Sequence, residues 1–195
     1  MTGSYESIPG FVEQKDAFGE TTIVVERERL VEAAEHARDE LGFSFLADVT
    51  PTDYLGWGGR GVAGYWGSPS PGSTRGWEPT ARDINTPFPG SQGLPRMPEP
   101  KPKRFSVSYH LLTLEQTPRR VRLQVWAEDG EPVPSVVGVW PAADWFEREA
   151  WDMMGIAIEG HPNLVRIIMD EDWEGHPLRK DYPLGGEPVR FSDED

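Results

Sequence analysis

The chain has 195 residues, enough for one hydrophobic core with additions. Its 19 Lys and Arg against 33 Asp and Glu give a formal charge of −14, which would repel a phosphate backbone and argues against a nucleic-acid partner. The absence of cysteine excludes disulfides, thiolate nucleophiles, cysteine-held clusters and Cys-based zinc sites, so any redox role requires cofactors held by other chains.

Glu28 to Leu41 places Leu30, Ala34, Ala37 and Leu41 on one helical stripe, and Gly42 follows where a helix needs a left-handed stop. Phe43, Phe45, Ala47 and Val49 then alternate with Ser44, Leu46 and Asp48, which predicts a strand ending at Pro51. Arg104 to Leu112, with Phe105, Val107, Tyr109 and Leu111 on one face, predicts a second strand. Arg119 to Ala127, with Val121, Leu123 and Val125 inward, predicts a third, antiparallel to the second across the turn at Glu115 to Pro118. A short apolar strand is expected after Gly130. Pro141 suits the first turn of a helix running to about Met154, and Gly155 is its stop.

Residues 55–103 stand apart: 10 glycines and 9 prolines fall in these 49 positions, and no helical or alternating pattern survives. Six basic residues against three acidic ones make this insertion +3 while the remainder is −17. Trp57, Tyr65, Trp66, Trp77 and Phe88 are more aromatic surface than a disordered linker usually carries, so the insertion is expected to lie along its own domain or a neighbouring chain. Beyond Ile158 the chain is dense in Gly, Pro, His and charge, with only Leu164 to Met169 resembling a strand, and an extended tail over 159–195 is expected. The fold class that follows is α+β: one two-layer domain over 1–54 and 104–158, with a mixed or antiparallel sheet backed by helices, the insertion and the tail. No run is apolar enough for a signal peptide or a membrane span, so a soluble, cytoplasmic chain is expected.

Two Gly-His-Pro units, at 160–162 and 175–177, invite a metal site, but without His-x-x-x-His or a tight ligand triad each reads better as a turn whose histidine binds backbone or a carboxylate. The helix around Glu147 concentrates Asp144, Glu147, Arg148, Glu149 and Asp152. Arg148 is four residues from both Asp144 and Asp152, so one guanidinium could bridge the two carboxylates. Paired acids also suit general acid and base work, and a hydrolase using Glu147, Glu149 and the two loop histidines is the rival reading. No nucleophile elbow, phosphate loop or dinucleotide fingerprint supports it, which favours an ion-pair network. The segment Gly175 to Leu184 packs a guanidinium, an ammonium, a carboxylate and an aromatic between prolines, as an extended peptide read by a partner would.

Trp145-Phe-Glu-Arg-Glu-Ala-Trp-Asp-Met-Met-Gly-Ile156, Gly160-His-Pro, Arg166-Ile-Ile and Asp172-Trp-Glu-Gly-His-Pro-Leu-Arg-Lys-Asp-Tyr-Pro-Leu184, in that order, resemble the signature of the 30-kilodalton (C-type) subunit family of bacterial NADH-quinone oxidoreductase (respiratory complex I). Weaker blocks at Leu46-Ala-Asp-Val-Thr, Asp53-Tyr54, Arg104 to Leu112, Val133-Pro-Ser-Val and Trp140-Pro-Ala-Ala extend the likeness over most of 40–185. Two positions depart from it: Ile158 stands where an aromatic is usual, and the insertion exceeds the usual connection.

The resemblance implies a non-catalytic structural subunit of the peripheral arm of the complex that passes electrons from NADH through FMN and iron-sulfur clusters to quinone with proton translocation. It implies that this chain binds none of those cofactors and touches chiefly the quinone-site (D-type) subunit and the cluster-bearing (B-type) subunit. It also implies a place on the cytoplasmic side of the membrane, reached only through the complex. Interface residues are then expected at Glu147, Arg148, Glu149, Asp152, His161, Arg166, Trp173, His176, Arg179, Lys180, Asp181 and Tyr182. The equivalent subunit of a membrane-bound hydrogenase, or of a relative fed by ferredoxin or a reduced deazaflavin, is the nearest alternative, because the electron donor binds elsewhere.

Overall fold

A computed structural model describes residues 5–55, 57 and 101–182. Contacts divide the chain into two units, Met1–Asp53 with Lys103–Asp195, and Tyr54–Pro102. The first holds a five-stranded sheet: β1 (Phe11–Ala17), β2 (Glu20–Val25), β3 (Phe45–Asp53), β4 (Phe105–Leu112) and β5 (Arg120–Ala127), in the order β1-β2-β5-β4-β3. All neighbours are antiparallel except β2 and β5, which makes the sheet mixed and the domain α+β as expected. Helices α1 (Leu30–Asp39) and α2 (Ala143–Met154) complete it. A two-residue parallel pair, β6 (Val133–Pro134) with β7 (Ile158–Glu159), brackets α2. The short strand expected after Gly130 is thus only two residues long, and no strand forms at Leu164 to Met169.

The centre of the sheet follows from period-two patterning. Phe105, Val107, Tyr109 and Leu111 face Ala127, Val125, Leu123 and Val121 across the β4–β5 ladder, and all eight are buried. α1 covers this layer with Leu30, Ala33, Ala34 and Ala37, whose spacing is one helical stripe and whose small side chains let helix and sheet approach closely. Gly42, at φ 78, turns the chain out of α1 and drops Phe43 into the core.

Two strand expectations need correction. β3 does not stop at Pro51 but runs to Asp53, and Pro51 is tolerated because β3 is a sheet edge, where its missing N–H faces no partner. Strict alternation also fails there, since a bulge between Leu46 and Asp48 puts Leu46 and Val49, three residues apart, on the same buried side while Phe45 is exposed. The β1–β2 hairpin was not anticipated: β1 is mostly polar, β2 ends in four consecutive buried residues, and the turn is Phe18-Gly19 rather than Asn-Gly.

Of the second unit, Tyr54 and Trp57 meet edge to face at 5.8 Å, with the Lys101 ammonium over both rings at 5.6 and 5.7 Å. Residues 56 and 58–100 of the expected insertion and 183–195 of the expected tail lie outside the described residues. From 160 to 182 the backbone is irregular, and it is tied to its own domain.

Candidate functional site

The signature residues gather around α2 and the segment that follows it. Their centre is Asp152, whose side chain is fully buried. Its Oδ2 accepts the backbone N–H groups of Ile167, Ile168 and Met169 at 3.1, 2.9 and 3.0 Å, and its Oδ1 accepts from Arg166 Nη1 at 2.6 Å. Burial alone would push this carboxyl up, but the N–H groups of Met169 and Ile168, the Arg166 guanidinium and the Ile167 N–H hold it at about 2. The stretch that resembled a strand is thus a loop whose orphan donors converge on one anion. Arg148 does not bridge Asp144 and Asp152: its Nε donates to the Val165 carbonyl at 3.1 Å, its Nη1 stands 4.0 Å from Asp144, and its plane lies over Trp145 at 4.8 Å. Arg166, from the loop, takes the role at Asp152 because its second arm also reaches the Trp173 carbonyl at 3.0 Å.

Glu147 is also fully buried. Its carboxylate accepts from Ser135 Oγ at 2.6 Å and from the Val136 N–H at 2.8 Å, fixing the turn between β6 and α2. Burial raises its pKa against these two hydrogen bonds. The Tyr109 hydroxyl of β4 is buried without a hydrogen-bond partner among the described residues, and burial, then the Glu147 charge, pushes it up in turn.

The two Gly-His-Pro units sit at opposite ends of α2. His161 accepts the Asn163 N–H on Nδ1 at 3.0 Å, which leaves its proton on Nε2, 3.2 Å from the Asp144 carbonyl. His176 donates from Nδ1 to the Asp152 carbonyl at 2.9 Å, and the Leu178 N–H donates to the Met153 carbonyl at 2.9 Å. The second unit thus caps carbonyls that the last turn of a helix leaves without partners. Gly155 permits this twice over, by its φ of 67 and because a Cβ there would stand 2.5 Å from His176 Cδ2. Similarly, the Tyr182 ring lies where a Cβ on Gly175 would meet it at 2.9 Å.

A second ionic cluster joins the tail to the strand ends. Arg104 grips Asp53 through two arms at 3.2 and 3.0 Å and reaches Asp181 at 2.9 Å. Arg179 pairs with Asp129 and with Asp181, and both guanidinium groups lie on Phe105, at 4.7 and 5.2 Å. The Lys180 N–H donates to Asp53 at 2.9 Å. Arg179 beside Asp129 holds that carboxyl below its usual range.

Of the expected interface residues, Glu147, Asp152 and His161 therefore spend their side-chain bonds inside the chain. Arg148, Arg166, Trp173, His176, Arg179 and Tyr182 are half-buried or less accessible, while Glu149, Lys180 and Asp181 are exposed. Trp145, Val165, Ile168 and Leu178, which sequence reasoning did not single out, are large apolar side chains left in solvent. The signal for Trp145 was available, since it shares a helical stripe with exposed Glu149. Asp53 and Arg104, which flank the insertion, were equally available as its opposed-charge brackets. Among the described residues no group of three His, Asp or Glu is placed to hold a metal ion, and no helix is long and apolar enough to cross a membrane.

A mixed five-stranded sheet with two helices, whose most chemically suggestive described residues are engaged in fixing loops, defines an α+β domain. The profile of the respiratory-chain NADH dehydrogenase 30 Kd subunit family matches residues 23–188, and the chain belongs to that family.

It is 41% identical over 176 residues to the C-type NADH-quinone oxidoreductase subunit of Hydrogenovibrio crunogenus, covering 86% of this chain and 70% of that one. With the same subunit of Mesorhizobium japonicum identity is 37% over 193 residues, covering 97% and 74%. With that of Methylobacterium sp. it is 37% over 177 residues, covering 90% of this chain but 61% of its relative. Among solved structures, a trypsin-resistant fragment of Nqo5 superposes with a TM-score of 0.53 at 28% identity, covering 78% of this chain and 89% of that one. A chain of an archaeal membrane-bound sulfane sulfur reductase shares the fold, with a TM-score of 0.58 at 18% identity over 95% and 88% of the two chains.

Proposed function

We propose that this chain is a non-catalytic structural subunit of an NADH-quinone oxidoreductase, placed on the cytoplasmic side of the membrane by its partners. The observation that carries the reading is the family match over residues 23–188, which spans β3 to β5, both helices and the loop that α2 anchors. The chemistry of the site is in keeping with it. Glu147 and Asp152 each accept hydrogen bonds from their own chain, so neither is placed to exchange protons with a substrate. Electron transfer from NADH through FMN and iron-sulfur clusters to quinone, with its proton translocation, then belongs to neighbouring chains. The neighbours expected to touch this one are the subunit that forms the quinone site and the subunit that bears the cluster next to it.

The test is affinity purification of the full-length chain from the cells that make it, with mass spectrometry of what accompanies it and an NADH:quinone assay of the eluate. Stoichiometric recovery of the other oxidoreductase subunits, with activity, is expected. A chain recovered alone, or one that hydrolyses test esters and peptides by itself, would overturn the assignment.

A further inference from the structure

We infer that Asp129-Gly130 is a modification site, at which the chain closes to a succinimide and reopens to isoaspartate, and that Arg179 keeps the site latent by holding the Asp129 carboxylate. The chain has one Asp-Gly step and no Asn-Gly. That step lies in the turn that leaves β5, closed by the Glu131 N–H on the Glu128 carbonyl at 3.1 Å, with Gly130 at φ 81 in its third place. Both residues are exposed, and a Cβ on Gly130 would meet nothing within 4 Å, so no distant part of the chain crowds the Gly130 nitrogen. Glu131 fixes the turn from its far end, where its Oε2 accepts the Glu128 N–H at 2.9 Å and the Lys103 ammonium at 2.6 Å. The Asp129 carboxylate is held from outside the turn. Arg179 Nη1 donates to its Oδ1 at 3.1 Å and Arg179 Nη2 to its Oδ2, while Arg104 Nη1 reaches Oδ2 at 3.3 Å.

The reaction balances without oxidant, reductant or co-reactant other than water. The Gly130 backbone nitrogen attacks Asp129 Cγ, a C–N bond forms, and one carboxyl oxygen leaves as water with the carboxyl proton and the amide proton. Water then opens the imide at either carbonyl. Opening at Cγ restores aspartate, and opening at the main-chain carbonyl leaves the chain running through the side-chain carbons as isoaspartate. Only the protonated carboxyl can expel water, so each unit by which its pKa is lowered cuts the reactive fraction about tenfold near neutral pH. Arg179, with Arg104 behind it, holds this carboxyl below its usual range against burial and the nearby Asp181 charge. The fork also fixes both oxygens, which keeps Cγ from swinging onto the nitrogen. Arg179 is the principal hold, because Arg104 spends two arms on Asp53 and reaches Asp181 as well. Arg179 is itself placed by its neighbours, the Leu178 N–H on the Met153 carbonyl and the Lys180 N–H on Asp53, both at 2.9 Å. Release of this segment from the strand ends therefore exposes the site. Isoaspartate carries a shorter carboxylate on a longer main chain, so the Arg179 fork is not regained and the segment loses that anchor for good.

The experiment incubates the full-length wild type, Arg179→Ala, Arg179→Lys and a synthetic peptide of residues 124–135 at about pH 5, where part of a free aspartate is protonated. Isoaspartate at position 129 is read by peptide mass spectrometry with electron-transfer fragmentation, and by the loss of cleavage before residue 129 with endoprotease Asp-N. The peptide should isomerise at least about fivefold faster than wild type, and Arg179→Ala at least about threefold faster, with Arg179→Lys between because it keeps the charge without the fork. If Arg179→Ala does not fold, wild type in about 1 M salt takes its place, and screening of the exposed pair should accelerate it by the same factor. Wild type that matches the peptide, a smaller acceleration on loss of Arg179 or in salt, or no isoaspartate in the peptide and the variant would overturn the inference. In wild type aged to accumulate isoaspartate, trypsin should cut after Arg179 and Lys180 faster than in fresh chain, and equal rates would overturn the loss of the anchor.

Discussion

Replacing Asp152 by Asn isolates the anion on which the loop from Arg166 to Met169 is built. Against an ordinary carboxyl at 3.8, a folded value of about 2 corresponds to ~2.5 kcal/mol of stability from ionisation alone. The sign follows from the depression. Because the folded group holds its proton less tightly than the unfolded one, this stability is complete above about pH 5, shrinks as pH falls through 3.8, and is lost on approaching about 2. At pH 7 the variant should lose more than the ionisation figure, ~3 to 4 kcal/mol, because it leaves the Arg166 guanidinium half-buried without its anion and turns an amide donor toward backbone donors. Urea unfolding of both proteins from pH 2.5 to 7 gives the difference curve: flat from 7 to about 5, then narrowing by roughly 2 kcal/mol. Amide exchange at Ile167, Ile168 and Met169 should rise in the variant at neutral pH more than at any position of β4 or β5. A stability gap independent of pH, or unchanged exchange at those three amides, would refute the account of Asp152 as the loop's ionised acceptor.

Gly155→Ala should cost ~2 kcal/mol or more in thermal unfolding, from a φ of 67 and a Cβ within 2.5 Å of His176. Adding His176→Ala should return only the steric part, read as a coupling in a double-mutant cycle. Glu147→Gln keeps an acceptor for the Val136 N–H and should stay within ~1 kcal/mol of wild type at pH 7, whereas Glu147→Ala, which strands Val136 N–H and Ser135, should lose ~2 kcal/mol or more. Since burial raises the Glu147 carboxyl, the folded state holds that proton more tightly, so wild type should lose stability relative to Glu147→Gln as pH rises from 4.5. Phe18→Asn should raise the stability of the isolated chain by ~0.5 to 1 kcal/mol, because Phe18 sits at φ 54 in a two-residue hairpin turn, fully in solvent, where Asn is favoured. A loss of melting temperature in that variant would mean that Phe18 makes a contact in the free chain.

The legible parts of the fold were those where one local rule acts without competition. β4 and β5 alternate because one face of each meets the core, and Gly42 and Gly155 end helices because both need positive φ. The illegible parts were set by position in the sheet. β1 is an edge strand and carries charge on both faces, and the phase of β3 depends on a bulge that alternation cannot reveal. In the site, helical spacing pointed Arg148 at Asp152, but a residue 14 positions away outcompetes it, because Arg166 arrives on the loop whose own N–H groups need the same anion. The family resemblance read from 145–184 was sound. What the resemblance alone could not tell is that Glu147, Arg148 and Asp152 are buried while Trp145, Val165, Ile168 and Leu178 are exposed.

That inversion has a physical cause. A helix packed on a sheet normally buries aliphatics, whereas α2 buries Glu147, Arg148 and Asp152 and exposes Trp145. The acids are inward because what packs on them is not sheet but irregular backbone, the turn at Ser135–Val136 and the loop from Ile167 to Met169, whose N–H groups have no ladder to join. Carboxylates are the acceptors that satisfy such loops from a helix, so a domain that ends in irregular chain must spend its helix on polar ligation. The hydrophobic drive that would have buried Trp145 is then unused within the chain. That exposure leaves an aromatic side chain in solvent on a helix whose backing loops are pinned by hydrogen bonds to Glu147 and Asp152.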